Sequence, residues 1–339
     1  MALKEIIGQN RAVNMLQGIL KRDRLAGAYL FCGESGIGKR TTAMNFAKAV
    51  NCLKDRNELC VTGHELKDKN TSHITHHELP FDACEVCDSC LKINAGTHPD
   101  VVTIAPEERI IKIEEIRALE EALSFRPFEG KKKIIIVDDA DSMNSSAANA
   151  FLKTLEEPPE DSLIILITSR PDRLPATIRS RCSKILFHTH SLISSREILK
   201  KKMDGDDAAL ALRLSLGRPG IALSSDVKED RDWFIDLLKA MTLAEKDSWA
   251  SREEMDKWFD LALMFIRDLA VHRITGNAAH VINADLADTL GKIGKSLDVQ
   301  GIIDLYKELS FIKTMLLFNL NKSLTWNYTA CLLRKELYS

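Results

Sequence analysis

The stretch AYLFCGESGIGK, residues 28–39, carries the strongest fold signal in the chain. Its first five residues are apolar and predict a short buried strand, after which a glycine-rich loop ends in Lys39. Apolar side chains at helical spacing follow at Phe46, Ala47 and Val50. The order of strand, glycine loop and helix predicts an α/β fold that can hold a nucleotide.

The loop has most of the chemistry that a phosphate group requires. Its glycines allow backbone N–H groups to converge on phosphate oxygens, and Lys39 can reach the terminal phosphates. The next position needs a hydroxyl for magnesium but holds Arg40, which cannot ligate a hard cation, and Thr41 lies about 100° further around the helix axis. Nucleotide binding therefore stays open, hydrolysis is not expected, and the alternative is a glycine-rich turn without nucleotide. The loop glycines are Gly33, Gly36 and Gly38.

A second apolar segment, residues 133–137, ends in Asp138 and Asp139. The end of such a strand is the place for a magnesium-linked aspartate and a catalytic acid. Asp139 is one methylene shorter than a glutamate, which withdraws its carboxylate from an attacking water by about 1 Å, and misplacement on that scale costs about a hundredfold in rate. Like Arg40, this residue indicates impaired hydrolysis.

Three cysteines at two-residue gaps, Cys84, Cys87 and Cys90, have the spacing that lets successive thiolates turn back on one tetrahedral ion. A zinc site needs a fourth ligand, for which Cys52 and Cys60 are the candidates. Four filled positions leave no room for water, so the metal would be structural. Reduced surface thiols are the alternative. Less favoured fourth ligands are His64, His73, His76 and His77.

Composition limits the remaining possibilities. A chain of 339 residues exceeds the about 250–300 residues of a single core, so two or three domains are expected. The net charge of −2 favours protein contacts over direct binding of nucleic acid. No apolar run approaches the about 18 residues of a membrane span, and the first residues do not resemble a signal peptide. We therefore expect a cytoplasmic protein without membrane contact, whose cysteines are metal ligands or buried thiols.

Strand and helix patterns alternate up to about residue 189 and predict a parallel sheet with helices on both faces. From there to Ser339 the pattern is helical throughout, with polar turns between the helices. The sequence therefore predicts an α/β region followed by an all-α region.

Several longer motifs make the prediction more specific. Together they resemble the AAA+ clamp-loader family over about residues 5 to 225, and this combination is far more specific than the glycine loop. The motifs are GTHPDV (96–101), IKIEEIR (111–117), NAFLKTLEEPP (149–159), LPATIR (174–179) and SRC (180–182).

In that family the Ser-Arg-Cys motif carries an arginine finger that reaches the γ-phosphate of ATP held by the adjacent subunit, so the resemblance assigns this role to Arg181. A planar, permanently charged guanidinium suits the task. Thr168 is the candidate polar group of the first sensor region. In the second sensor region, Gly220 stands where active relatives place an arginine.

Impaired phosphate-site residues beside an intact finger resemble the delta-prime type of subunit rather than the ATP-hydrolysing gamma or tau type. The resemblance implies a component of DNA polymerase III with negligible ATPase activity of its own. Its partners would be gamma/tau-type and delta-type subunits, with the sliding clamp and primed DNA reached through the complex. Two alternatives stay open: a gamma-type ATPase in which Thr41 supplies the hydroxyl, and a zinc-stapled scaffold without nucleotide.

The resemblance also implies a division into three domains. These are an AAA+ phosphate-loop domain (1–189) with an inserted zinc module (about 52–90), a small helical lid (190–230) and a helical collar (231–339). The family pattern favours zinc on Cys52 together with the three clustered cysteines. An apolar stripe in the last region is more typical of an internal core, and the resemblance implies a collar interface as the alternative; it comprises Ile302, Leu305, Leu309, Ile312, Met315 and Leu316.

Overall fold

The computed structural model describes residues 2–54, 82–106, 110–200, 202–203, 205–224, 226–243, 248–294, 297–318 and 320–338. The chain forms two compact units, Met1–Ile198 and Leu199–Ser339. The first ends close to the predicted end of the α/β domain. The division of the helical part into lid and collar stays a prediction, and most of the predicted zinc module lies outside the described residues.

A five-stranded parallel sheet forms the centre of the first unit, as the sequence predicted. The strand order is β2-β3-β4-β1-β5. The sequence patterns indicated the first four strands, whereas β5 was not predicted. The strands are β1 (Ala28–Cys32), β2 (Val101–Ile104), β3 (Lys133–Val137), β4 (Ser162–Thr168) and β5 (Ser183–Leu186).

Helices cover both faces of this sheet. Alternate residues of β1 point to opposite sides, so Tyr29 and Phe31 belong to one buried cluster while Ala28 and Leu30 belong to another. The helices of the first unit are α1 (Asn10–Arg22), α2 (Lys39–Asn51), α3 (Asp88–Ala95), α4 (Ile113–Ser124), α5 (Ser145–Glu156) and α6 (Ala176–Arg181). A further helix, α7 (Leu192–Lys200), runs past the boundary between the units.

The described part of the second unit is helical, which agrees with the predicted all-α region. Three tryptophans, Trp249, Trp258 and Trp326, are fully buried in its core. The predicted apolar stripe faces the same core, since Ile302 and Leu309 are buried within it. The helices are α8 (Gly205–Leu214), α9 (Pro219–Ser224), α10 (Val227–Leu243), α11 (Arg252–Thr275), α12 (Ala287–Ile293), α13 (Val299–Met315) and α14 (Lys322–Tyr338).

In the described parts of the chain, none of the helices combines the length and the apolar character that a membrane crossing requires.

Candidate functional site

The carboxyl ends of the parallel strands bring the predicted phosphate-site residues to one edge of the sheet. The glycine loop follows β1, Asp138 follows β3, and Thr168 is the last residue of β4, which lies between them. Ligands of open α/β sheets bind at this edge. The fold therefore brings these predicted residues together at one edge of the sheet.

Glycine is required at the start of the loop. Gly33 has a φ of 154°, and a Cβ there would lie 2.7 Å from the Phe187 carbonyl oxygen, closer than real Cβ atoms come. Gly36 and Gly38 also have positive φ angles, 76° and 92°. Glycine adopts these angles without steric cost, so the three predicted loop glycines share one backbone reason for being there.

Lys39 is buried at the first position of α2 and donates hydrogen bonds within its own loop. Its Nζ lies 2.6 Å from the Gly33 carbonyl oxygen and 2.5 Å from that of Glu34. Burial lowers the pKa of Lys39, and the negative charge of Asp139 opposes this shift most strongly. The amine that would reach a phosphate is thus bonded to the loop itself.

Arg40 faces the aspartate that would bind magnesium. One of its guanidinium nitrogens lies 3.4 Å from a carboxylate oxygen of Asp138. Thr41 is exposed, and the buried Thr42 hydroxyl donates to the Gly38 carbonyl oxygen at 2.8 Å. The first turn of α2 therefore directs a cation toward Asp138.

Asp139 has an unusual backbone conformation and an unusual charge environment. Its φ of 45° puts it in the left-handed region, which is uncommon outside glycine. Burial raises the pKa of Asp139, and the neighbouring charges of Asp138 and Asp141 raise it further. This carboxyl is thus easier to protonate than an ordinary aspartate.

Asp141 and Arg170 join the site although sequence reasoning did not single them out. The Thr168 hydroxyl donates to one Asp141 oxygen at 2.6 Å, and the Arg170 Nε donates to the other at 2.8 Å. Burial alone would raise the pKa of Asp141, but these two donors outweigh it and lower the pKa. The acidic run DDAD, residues 138–141, was the available sequence signal.

Arg181 lies at the end of α6 with its side chain on the surface. The short helix is anchored by the buried side chain of Ile178 and followed by the buried Cys182, whose pKa burial raises to about 12. The Arg181 guanidinium donates to the Thr177 carbonyl oxygen at 2.8 Å and pairs with Glu156. Buried residues on both sides thus fix a helix whose cation is accessible.

The thiol cluster, Cys52, Cys84, Cys87 and Cys90, gathers around one point. All four sulfurs lie within 4.8 Å of one another, and the Cys52–Cys87 and Cys84–Cys90 pairs are each 4.0 Å apart. Tetrahedral zinc with Zn–S bonds of about 2.3 Å needs sulfurs about 3.8 Å apart, so the cluster fits that ion. The alternative ligand Cys60 and the histidines of that segment lie outside the described residues.

The end of α2 and the start of α3 position the thiols of the cluster. Cys52 follows α2 directly, while Cys87 is the N-cap of α3 and Cys90 belongs to the first turn of that helix. Between them, the Lys48 amine is buried and pairs with Glu85 at 2.7 Å. The Cys90 thiol donates to Cys52 and lowers the pKa of Cys52 to about 4. A thiolate in this position is the form that binds a metal.

Gly220, the predicted departure in the second sensor region, lies within α9 of the second unit. Its conformation is helical, and the neighbouring Arg218 donates to the Ser215 carbonyl oxygen at 2.9 Å. Thus the guanidinium of Arg218 is bonded within the second unit.

Comparison with known proteins connects these features to a family. A family model described as "DNA polymerase III, delta subunit" matches residues 8–80 and 70–191, which together exceed half of the chain. DNA polymerase III subunit delta' of Bacillus subtilis is 37% identical over 179 residues, which cover 53% of this chain and 47% of that protein.

Two further relatives lie in the same group of proteins. Subunit delta' of Pseudomonas aeruginosa is 30% identical over 255 residues, covering 73% of this chain and 70% of that protein. DNA polymerase III subunit tau/gamma of Haemophilus influenzae is 34% identical over 188 residues, covering 56% of this chain and 24% of that protein. The similarity thus spans less than half the length of two of these three relatives.

Proposed function

Because the chain belongs to the family of DNA polymerase III delta-type clamp-loader subunits, we propose that it acts as a delta-prime-type subunit in ATP-driven loading of the sliding clamp. The observation that carries this proposal is a contrast between two cations. Lys39 is buried and bonded to its own loop, whereas Arg181 is held on the surface by an anchored helix. The chain is thus better equipped to serve a neighbour's nucleotide than its own.

Arg181 acts in trans in this proposal. A fixed, permanently charged guanidinium stabilises the charge that develops on the γ-phosphoryl group during transfer. Its partner Glu156 is half exposed, and surface ion pairs of this kind contribute about 0–1 kcal/mol. Exchanging Glu156 for a phosphate of the adjacent subunit therefore costs little.

The proposed partners are gamma/tau-type and delta-type subunits, with the clamp and primed DNA contacted through the complex. Exposed apolar side chains on the last two helices are the candidate contact residues of the second unit in this proposal. They are Ile303, Tyr306 and Phe311 of α13 and Leu324 and Tyr328 of α14. The buried stripe on α13 does not serve this purpose, since it packs inside the unit.

Reconstitution tests the proposed function. The chain is mixed with purified gamma/tau-type and delta-type subunits, sliding clamp and primed DNA. We expect a stable complex on gel filtration and clamp loading that stops when the chain is omitted. Absence of the chain from the complex, or undiminished loading without it, would remove the proposal. Turnover of ATP by the isolated chain, abolished by Lys39→Ala, would favour the gamma-type alternative.

The thiol cluster is proposed to hold one structural zinc ion. Four protein ligands leave no position for water, so the ion would join the end of α2 to the start of α3 and take no part in chemistry. Metal analysis in reducing buffer should find one zinc per chain in the wild type. Cys90→Ser should lose it and lower the melting temperature, whereas the matched control Cys331→Ser, at an exposed cysteine outside the cluster, should keep it.

Two results would revise the zinc assignment. A wild-type chain without zinc would reject it. Loss of the metal from Cys60→Ser, with retention in Cys52→Ser, would make Cys60 the fourth ligand instead.

A further inference from the structure

The position where a phosphate loop holds its magnesium ion does not fit that ion in this chain. Magnesium requires near-octahedral oxygen coordination at about 2.0–2.1 Å. The loop normally supplies a Ser or Thr hydroxyl directly after the lysine, and the strand beside it supplies an aspartate. Here Arg40 follows Lys39, and the aspartate, Asp138, already has the Arg40 guanidinium 3.4 Å away.

Neighbouring oxygens in the described part of the chain do not restore the site. The Thr42 hydroxyl is buried and donates to the Gly38 carbonyl oxygen. The two Asp141 oxygens accept from Thr168 and from Arg170. The Thr42 hydroxyl and the Asp141 carboxylate are therefore already engaged, and Thr41, the hydroxyl next to Arg40, lies about 100° further around the helix axis.

We infer that Arg40 takes the place of the magnesium ion, so that the phosphate loop does not accept a metal–nucleotide complex. The inference deepens the proposed function and rests on it for the identity of the site. The ion pair need not be strong for this purpose, and with Arg40 more than half exposed it is not. Exclusion comes from a missing hydroxyl ligand and from repulsion between the guanidinium and a divalent cation.

Phosphate loops usually bind both the phosphate groups and the magnesium ion. Arginine at position 40, in place of Ser or Thr, separates these two properties. The loop keeps the glycines and the lysine of a phosphate loop, but the positive charge that magnesium would bring is supplied by Arg40. Whatever affinity the wild-type chain has for a nucleoside triphosphate should therefore be indifferent to magnesium. Replacing Arg40 by a small hydroxyl residue should make the affinity depend on magnesium.

A titration of the isolated full chain tests the inference. A fluorescent ATP analogue is added with magnesium and, separately, with excess chelator. The wild type should give the same affinity in both buffers, or binding too weak to measure in both. Arg40→Ser should bind at least about tenfold more tightly with magnesium than with chelator, a difference of about 1.4 kcal/mol. Arg126→Ser, at an exposed arginine after α4, is the matched control and should behave as the wild type.

A second variant identifies the carboxylate that is involved. In Arg40→Ser combined with Asp138→Asn, the magnesium effect should disappear, because the metal has lost its acidic ligand. Circular dichroism melts of all variants confirm folding, and Arg40→Thr replaces Arg40→Ser if the latter is unfolded. Magnesium-dependent binding by the wild type, or a folded hydroxyl variant without magnesium dependence, would overturn the inference.

Failure of this inference can be distinguished from failure of the proposed function. The titration uses the isolated chain, whereas assembly with the other subunits is measured by gel filtration. Arg40→Ser should still join the complex, because Arg40 lies in the phosphate loop and Arg181 on another element. A folded Arg40→Ser variant that assembles normally but binds the nucleotide without magnesium dependence would reject only the role of Arg40.

Discussion

The phosphate loop and the helix that carries Arg181 lie in the same α/β unit, yet Lys39 of the loop and Arg181 of the helix are placed in opposite ways. Lys39 is 6% exposed and donates to two loop carbonyl oxygens, and Arg40 pairs with Asp138 of the next strand end. Arg181 lies on the surface, where it contacts Glu156 and the Thr177 carbonyl oxygen.

The difference indicates that a chain can keep the residues of a phosphate-loop motif while the charges of that loop are paired within the polypeptide. The phosphate loop keeps its glycines and its lysine, but the charges around it are matched within the polypeptide. The buried side chains of Ile178 and Cys182 hold helix α6, and the Arg181 guanidinium at its end can leave its half-exposed partner Glu156 at small cost. The contrast between the buried Lys39 and the surface position of Arg181 supports the proposal that the second of these regions acts.

The largest effect is expected from Arg181→Ala in the reconstituted loader. Removing an arginine finger lowers phosphoryl transfer at the dependent site by about 10³–10⁵-fold, but total turnover should fall only in part because other sites use other fingers. Clamp- and DNA-stimulated ATP hydrolysis measures the loss at matched subunit content. Arg179→Ala is the control on the same helix, since Arg179 pairs with the exposed Asp172 at 3.3 Å. Equal rates in both variants and the wild type would leave Arg181 a surface arginine.

A smaller effect, on stability, is expected at the inner edge of the phosphate site. Asp141→Ala removes the acceptor of Thr168 and Arg170 and leaves the buried Thr168 hydroxyl without an acceptor for its proton, which should lower the free energy of unfolding by about 1–3 kcal/mol. Urea unfolding of the isolated chain measures it. Asp172→Ala, at an almost fully exposed aspartate, should change it by less than about 0.5 kcal/mol. An unchanged free energy of unfolding in Asp141→Ala would mean that the hydrogen bonds from Thr168 and Arg170 to Asp141 do not stabilise the site.

The same carboxylate predicts a pH dependence. The pKa of Asp141 is lowered in the folded chain, so its contribution to stability is present above the ordinary aspartate pKa of about 3.9 and is lost as the pH falls through the folded value. The difference in unfolding free energy between the wild type and Asp141→Asn should therefore shrink as the pH drops from about 5 to below 3. A difference that grows with acid would contradict the direction of the pKa shift.

The smallest effect is expected from Lys39→Ala in the assembled loader. Because Arg40 and Asp139 stand where hydrolysis needs a hydroxyl and a longer acid, removal of Lys39 should leave ATP hydrolysis by the complex close to the wild-type rate. Both variants, Lys39→Ala and Arg181→Ala, are measured at the same subunit content. Loss of ATP hydrolysis in Lys39→Ala but not in Arg181→Ala would show that the phosphate loop of this chain, and not Arg181, contributes to hydrolysis.

Most of the sheet could be predicted because parallel strands covered on both faces are nearly continuous apolar runs. Strands β1, β3 and β4 have that composition. The strand β5, Ser183–Leu186, was missed because it lies at the sheet edge, where Ile185 is buried and its neighbours are exposed. A short edge strand with alternating polar residues looks like a loop in the sequence.

The site was predicted in part for a similar reason. Chemistry that depends on neighbours in sequence, such as the glycine loop and the cysteine spacing, was visible from the residue types. The pairing of Arg40 with Asp138, and of Arg170 with Asp141, depends on the order β3-β4-β1, which brings distant segments to one edge. Sequence indicated that Arg40 cannot bind magnesium but not which carboxylate it would face.

Whether Arg181 acts on a neighbour's nucleotide is tested most directly by a double-variant comparison in the reconstituted loader. Arg181→Ala is measured alone, then together with a substitution of the phosphate-loop lysine in the adjacent gamma/tau-type subunit, which disables that subunit's site. We predict that Arg181→Ala lowers ATP hydrolysis in the first complex and causes no further loss in the second. An equal further loss in the second complex would contradict action at the neighbour's site.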